Sequence, residues 1–182
     1  MATNMQTWNI DPTHSEIQFK VRHMMISTVS GVFHQFTGQM KASEADFSDA
    51  EISFEADIDS IDTRNEQRDG HLKSNDFFNA AEFPKMTFRS TSFEKTGEGT
   101  FVLKGDLTIR DVTQAVSLDV EYGGTLQDPY GQTRAGFEIS GKINRKDFNL
   151  NWDAVTEAGS VVVSNEVKLL LNVQMVLEQP VA

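Results

Sequence analysis

Cysteine is absent from the 182 residues, which excludes disulfide staples, thiolate catalysis and Cys-based zinc sites together and leaves the redox compartment open. Positive charge is in short supply: 16 Lys and Arg stand against 27 Asp and Glu, for a net charge of −11. Phosphate neutralisation needs clustered cations, so a nucleic-acid partner is not expected, and docking on an anionic membrane is equally disfavoured. No stretch approaches the ~18 consecutive apolar residues of a spanning helix, so stable membrane insertion is not expected. The opening MATNMQTWNIDP has neither a basic nor an apolar leader segment, which predicts a cytoplasmic address. Histidine is limited to His14, His23, His34 and His71, without the short spacings of adjacent metal ligands; only distant convergence could build a metal site. There is no Gly-x-Ser-x-Gly nucleophile elbow, so the His14-Ser15 pair reads as turn-fixing rather than catalytic. No cofactor is expected.

What the chain does have is alternation. Ile17, Phe19 and Val21 share one face of Ser15 to Arg22, with Glu16, Gln18, Lys20 and Arg22 on the other, the period-two pattern of a half-buried strand. The same rhythm returns in Glu51 to Asp59, in Phe101 to Ile109, in Val116 to Tyr122, in Ala135 to Ile143 and in a long last segment from Val167 to Leu177. Glycine-rich punctuation at Lys95–Gly99, Gly123-Gly124 and Asp128–Gly131 marks turns. Ser43 to Asp49 reads as a polar loop, and His23 to Ser27 as a helical turn. Length and pattern predict one all-β domain, residues 1–182, of about eight antiparallel strands closed into a barrel.

One stretch departs from the strand pattern. Asn65 to Ser74 is polar, with Arg68/Leu72 and Asp69/Lys73 spaced four apart as on one helical face; Asp62-Thr63 reads as its N-cap and Arg68 and Asp69 as surface or capping charges, with a functional role at the cavity mouth as the alternative. Phe77, Phe78 and Phe83-Pro84 follow. A short helix ending in an aromatic pair, set between strands, predicts a cap over the barrel, and Phe77, Phe78 and Trp152 are candidates for core or gate. An eight-stranded barrel is either filled by side chains or holds one small ligand. Small residues interrupt the apolar faces at Gly38, Ala56, Ser90, Gly105, Ala135 and Gly141, which together favour an apolar cavity over a packed core. Asn144 to Phe148 reads as a polar loop stabilised by its own Asp-Arg pairing, or else as a headgroup anchor.

Several blocks resemble the YceI-like, or polyisoprenoid-binding, family: WNIDPTHSEIQFKVRHMMISTVSGVF from Trp8, DTRNEQRDGHLKSNDFF from Asp62, GDLTIRDVT from Gly105 and INRKDFNLNW from Ile143. The resemblance implies an extended lipocalin-like barrel closed by a short helix around a long apolar pocket. It implies a non-enzymatic binder of an isoprenoid or similar chain, in a family whose members are often exported and dimeric. Asp111 and Asn149 stand where the family pattern has glycine.

The resulting expectation is a small-molecule lipid guest: a polyisoprenoid or isoprenoid quinone first, a fatty acid or fatty amide second. Phe19, Val21, Phe36, Phe54, Phe88, Leu107, Ile109 and Phe137 would line the pocket, with Trp152 as lining or gate. Met24, Met25, Phe77 and Phe78 would form an adaptable gate, and His14, Arg68 or Arg145 would hold the head. Two alternatives stand beside this reading: a barrel enzyme using His14 and Asp62 as acid and base, and a packed-core interaction module without a small ligand.

Overall fold

The computed structural model describes residues 5–24, 26–152 and 163–179. Its strands are β1 (Gln6–Ile10), β2 (Glu16–His23), β3 (Ser27–Phe33), β4 (Phe36–Ala42), β5 (Glu51–Asp57), β6 (Ile61–Asp62), β7 (Lys85–Gly97), β8 (Thr100–Ile109), β9 (Val112–Gln127), β10 (Thr133–Asn144) and β11 (Val163–Leu177), with one α-helix, α1 (Glu66–Lys73). Every pairing is antiparallel. The ring β1-β4-β5-β7-β8-β9-β10-β11 closes on itself through β1 and β11.

The extra segments are halves of bent strands. One edge of β11 is paired with β10, while its other edge serves both β2, with Leu171 opposite Ile17, and β1, with Met175 opposite Ile10. β1 and β2 therefore form one path, broken between Asp11 and Ser15. β3 pairs with β2 where β4 pairs with β1, and β6 pairs with β3 where β5 pairs with β4. The result is an up-and-down barrel of eight strand paths, three of them kinked at one level.

The first kink follows from its residues. Pro12 fixes φ and removes a donor, and Asp11 caps the short turn by accepting from the Thr13 N–H. Ser15 keeps the sheet continuous: its Oγ accepts from the Gln174 N–H at 3.0 Å while the Asp11 N–H donates to Gln174 O. Arg134, from β10, reaches Asp11 Oδ2 at 2.6 Å and Asp128 Oδ2 at 2.8 Å. Burial alone would push the Asp11 carboxyl up, but hydrogen bonds from Arg134, Thr13 and His14 outweigh it and hold the group well below the ordinary carboxylate range.

The end of the barrel remote from α1 is stoppered by a residue that the sequence hides. Phe47 lies in the stretch expected to be a polar loop, yet it is 4 % exposed. Asp49 accepts the Ser43 and Glu44 N–H groups and folds the loop back, and Phe47 takes φ 61°. Its ring meets Trp8, Tyr122 and Phe137 edge-on, with centroids 5.4–5.5 Å away. His23 and Ser27, expected to lie in a helical turn, pair with each other as the last rung of the β2–β3 hairpin, and Met24 takes φ 54°.

At the opposite end the second edge of β6 has no strand partner among the described residues, and α1 follows directly. The helix caps on Asn65, whose side chain accepts the Arg68 N–H, rather than on Asp62-Thr63 as the sequence suggested. Asp62 instead accepts the Arg64 N–H and lies 2.9 Å from His34 Nε2.

Two outcomes test this account. Phe47→Ala should lower unfolding stability by roughly 3–5 kcal/mol, the range for deleting a buried aromatic, read from urea titration. Because the folded Asp11 pKa is depressed, its stabilisation is present above the unfolded value of about 3.9 and fades as pH falls below it. Asp11→Asn should therefore lower the melting temperature at pH near 7 and narrow the gap to wild type on acidification.

Candidate functional site

Inward-facing residues of the ring do not fill it. An apolar cavity of about 150 Å³ lies among Phe54, Phe88, Leu107, Leu118, Phe137 and Met175. Towards α1 it meets a larger space of about 490 Å³. Phe19, Phe33, Met86, Ile143 and Leu169 border both and form the neck between them. The outer volume falls within the range of about 300–1,000 Å³ typical of small-molecule sites.

The small residues do not all act as the sequence suggested. A side chain at Gly105 would collide with the Phe88 ring at 2.5 Å, and one at Gly141 with a Leu118 methyl at 2.4 Å. These glycines receive neighbouring side chains, and the space they leave is already taken. Ala56 and Ala135 are each 1 % exposed and packed into the wall.

The outer space is roofed by α1, the segment after it and the loop after β10. Phe77, Phe78, Trp152, Leu72 and Leu150 contribute its apolar part. His71 joins two of these pieces: its ring lies 5.1 Å from Phe77 and 4.8 Å from Trp152, edge-on to both, and its Nε2 is 2.8 Å from Asp76 Oδ2. The polar part of the lining comprises Arg22, His23, Thr63, Asn65, Gln67, Arg68, His71 and Arg145.

Three arginines at this end hold backbone carbonyls. Arg145 is 3 % exposed and donates to the carbonyls of Leu150 and Trp152 through Nη1, of Ser164 through Nε and of Val163 through Nη2. Arg110, at the β8–β9 turn, donates to the carbonyls of Asn75, Phe77 and Asn149. Arg68 donates from Nε to Thr63 Oγ1 at 2.8 Å and from Nη2 to Thr63 O. The loop expected to close on an internal Asp-Arg pair is thus held by guanidinium–carbonyl bonds. Asn149 takes φ 61°, the left-handed geometry that glycine adopts freely and asparagine tolerates. Arg110, not Asp111, carries the positive φ of the preceding turn.

Of the residues expected at the site, Phe54, Phe88, Leu107 and Phe137 border the inner cavity, Phe19 borders both, and Val21, Ile109, Phe77, Phe78, Trp152, Arg68 and Arg145 border the outer one. Three are placed elsewhere. Phe36 is buried in an apolar cluster with Ile17, Phe33, Ala56, Ile58 and Ile61, its ring 6.1 Å from that of Phe54. Met24 is 40 % exposed on the β2–β3 turn. His14 sits at the first kink, with Nδ1 2.9 Å from Asp11 Oδ2. Met25 lies outside the described residues. His14 and Asp62 each bond to a different residue, so they form no acid–base pair with each other. Among the described residues no group of three or more His, Asp or Glu is placed to hold a metal. Thr63, named with Arg68 as an alternative part of the cavity mouth, borders the outer space. Sequence reading missed Phe33, Met86, Ile143, Leu169 and His71. The first four carry a signal in strand alternation; His71 carries none.

A closed antiparallel barrel with an apolar axial cavity, a helical roof and a polar rim defines a lipocalin-like binding fold. Residues 8–175 match the YceI-like domain, and the chain belongs to that family. It is 40 % identical over 165 residues to a UPF0312 protein of Staphylococcus epidermidis, covering 90 % of this chain and 94 % of the relative. The crystal structure of a Campylobacter jejuni YCEI protein superposes with TM-score 0.74 at 30 % identity, over 87 % of this chain and 90 % of that one. A polyisoprenoid binding domain from Saccharophagus degradans shares the fold, with TM-score 0.66 at 16 % identity, over 94 % and 98 % of the two chains.

Removing the Arg145 guanidinium leaves several carbonyls without their donor. Arg145→Ala should cost about 3 kcal/mol or more in urea unfolding, at ~1–3 kcal/mol for each buried group stranded. Arg145→Lys should recover part of that at most, because an ammonium cannot reproduce the planar fork.

Proposed function

We propose that the protein binds one long-chain amphiphile, with its chain along the barrel axis and its polar end beneath α1, and so sequesters or carries it. The observation that carries this reading is the juxtaposition of the two spaces: an apolar inner end, a shared apolar wall at Phe19, Phe33, Met86, Ile143 and Leu169, and an outer end that alone carries charged groups. Such a gradient suits a molecule with one oily and one polar end. The polyisoprenoid binding domain that shares the fold supports an isoprenoid chain as first choice, as a polyisoprenoid or isoprenoid quinone; a fatty acid or fatty amide is second. Affinity comes from burial, about 25 cal/mol per Å² of apolar surface removed from water, reduced by the cost of ordering a flexible chain. The reading is of a binder rather than a catalyst. Membership of a family with a polyisoprenoid-binding neighbour supports it, and so does the separate bonding of His14 and Asp62.

Native mass spectrometry of the purified protein, followed by organic extraction and addition of prenyl and acyl lipids, tests the reading. A releasable guest, or uptake of an added one, is expected. Ile143→Trp, at the neck, should abolish uptake at a stability cost of about 1–3 kcal/mol from overpacking. A folded wild-type protein that takes up no prenyl or acyl lipid would replace this function with an interaction module.

A further inference from the structure

The side chains that line the mouth of the cavity differ in composition from the chain as a whole. Asp and Glu outnumber Lys and Arg, for a net −11, yet the lining of the outer space includes Arg22, Arg68 and Arg145 and, among the described residues, no Asp or Glu; Asp69 and Asp76 stand behind it, bonded to Thr63 and His71. In so acidic a chain, a rim drawn at random from the surface would carry carboxylates.

Arg68 is the residue on which this asymmetry acts. It sits half-buried in the first turn of α1. Its Nε and Nη2 are held by the hydroxyl and carbonyl of Thr63, both neutral. It forms no ion pair among the described residues, and its Nη1 makes no hydrogen bond there. The nearest carboxylate in this network, Asp69, accepts from the Thr63 N–H at 2.9 Å and from the Thr63 hydroxyl, so it reaches Arg68 only through Thr63. Thr63, 3 % exposed, is itself fixed by these bonds. The guanidinium is thereby oriented by direct bonds to neutral groups, and its Nη1 is left for a guest. On the same wall, the Arg145 charge is solvated by the carbonyl dipoles of Leu150, Trp152, Val163 and Ser164, which orient it.

We propose that the mouth selects amphiphiles whose head is an oxyanion, a carboxylate or a phosphate, with Arg68 as its direct contact. This rests on the lipid-binding function proposed above and narrows it: neutral quinones, alcohols and amides become the weaker guests. Guanidinium is suited to the task because its planar N–H groups match carboxylate and phosphate oxygens. The apolar side chains of Phe77, Phe78 and Trp152 in the same lining lower the local dielectric and strengthen that attraction.

Two pairs of probes, matched in chain and differing in head, test the proposal by titration of the full-length protein: palmitate against palmitamide, and farnesyl phosphate against farnesol. Whichever chain binds, the anionic member is expected to be tighter by about tenfold or more, as one charge-assisted hydrogen bond supplies, and the gap should narrow at raised salt. Arg68→Gln should weaken the anionic member more than the neutral one and so erase that advantage. Arg68→Lys, which keeps the charge but not the planar fork, should restore only part of it. Equal affinity within both pairs overturns the proposal while leaving lipid binding intact, and so does an equal loss for both members in Arg68→Gln. Failure of all four probes to bind the folded protein overturns the lipid-binding function itself and this inference with it.

Discussion

A barrel that keeps a cavity inside its apolar core depends for its shape on closure as well as packing, and closure here depends on both edges of β11. One edge is paired with β10 from Asn144 to Arg134, while the other must serve two partners in turn, β2 and then β1. The change of partner requires the chain to turn between Ile10 and Glu16 without releasing β11. Asp11, Pro12 and Ser15 accomplish this by replacing sheet bonds with a turn, a cap and a serine hydroxyl. Arg134 then ties the corner to β10 through Asp11 and Asp128. The kinks in the next two strand paths lie at the same level, so the half of the barrel beyond them is free to diverge. There β6 has no second partner among the described residues, and α1 can enter.

The two ends close by different physics. At the remote end, aromatic packing suffices: Phe47 turns its edge to three other rings, and no polar group need be buried. At the mouth the roof is made of irregular backbone, whose carbonyls cannot all find strand partners and would each cost free energy if buried alone. Arg68, Arg110 and Arg145 satisfy them. Arginine can do this because one side chain carries five donors in a rigid fork, whereas a carboxylate could accept from N–H groups but offers nothing to a carbonyl. Positive charge at the mouth thus follows first from a structural need, and only then becomes available to a guest.

The sequence made the barrel legible where one face of each strand is buried, because period-two alternation records burial directly, as from Ile17 to Val21 and from Phe101 to Ile109. The short polar helix was legible too, from Asn65 to Ser74. Phe47 was not, since one aromatic in Ser43–Asp49 cannot announce that its loop folds inward. Arg145 was visible as a charge near the site, but orphan carbonyls leave no trace in a sequence, and an adjacent Asp147 offers a simpler partner on paper. The glycines misled in an instructive way. Gly105 and Gly141 do remove volume, but Phe88 and Leu118 refill it, so these two report on close packing across neighbouring strands, whereas Gly38 does border the inner cavity.

Magnitudes explain why the rim matters more than its few atoms suggest. Burying a chain gains about 0.8 kcal/mol per CH₂, so a dozen carbons yield roughly 10 kcal/mol. Association and ordering cost an estimated 4–15 kcal/mol. The two nearly cancel, and an apolar tube accepts prenyl and acyl chains almost alike, since dispersion and burial distinguish them poorly. Occupancy is then decided by the balance at the head, where a hydrogen bond to a charged group contributes about 1.5–3 kcal/mol. A mouth built around Arg68 converts a nonselective tube into one that discriminates by charge, and it does so with a group already committed to holding Thr63 at the turn into α1.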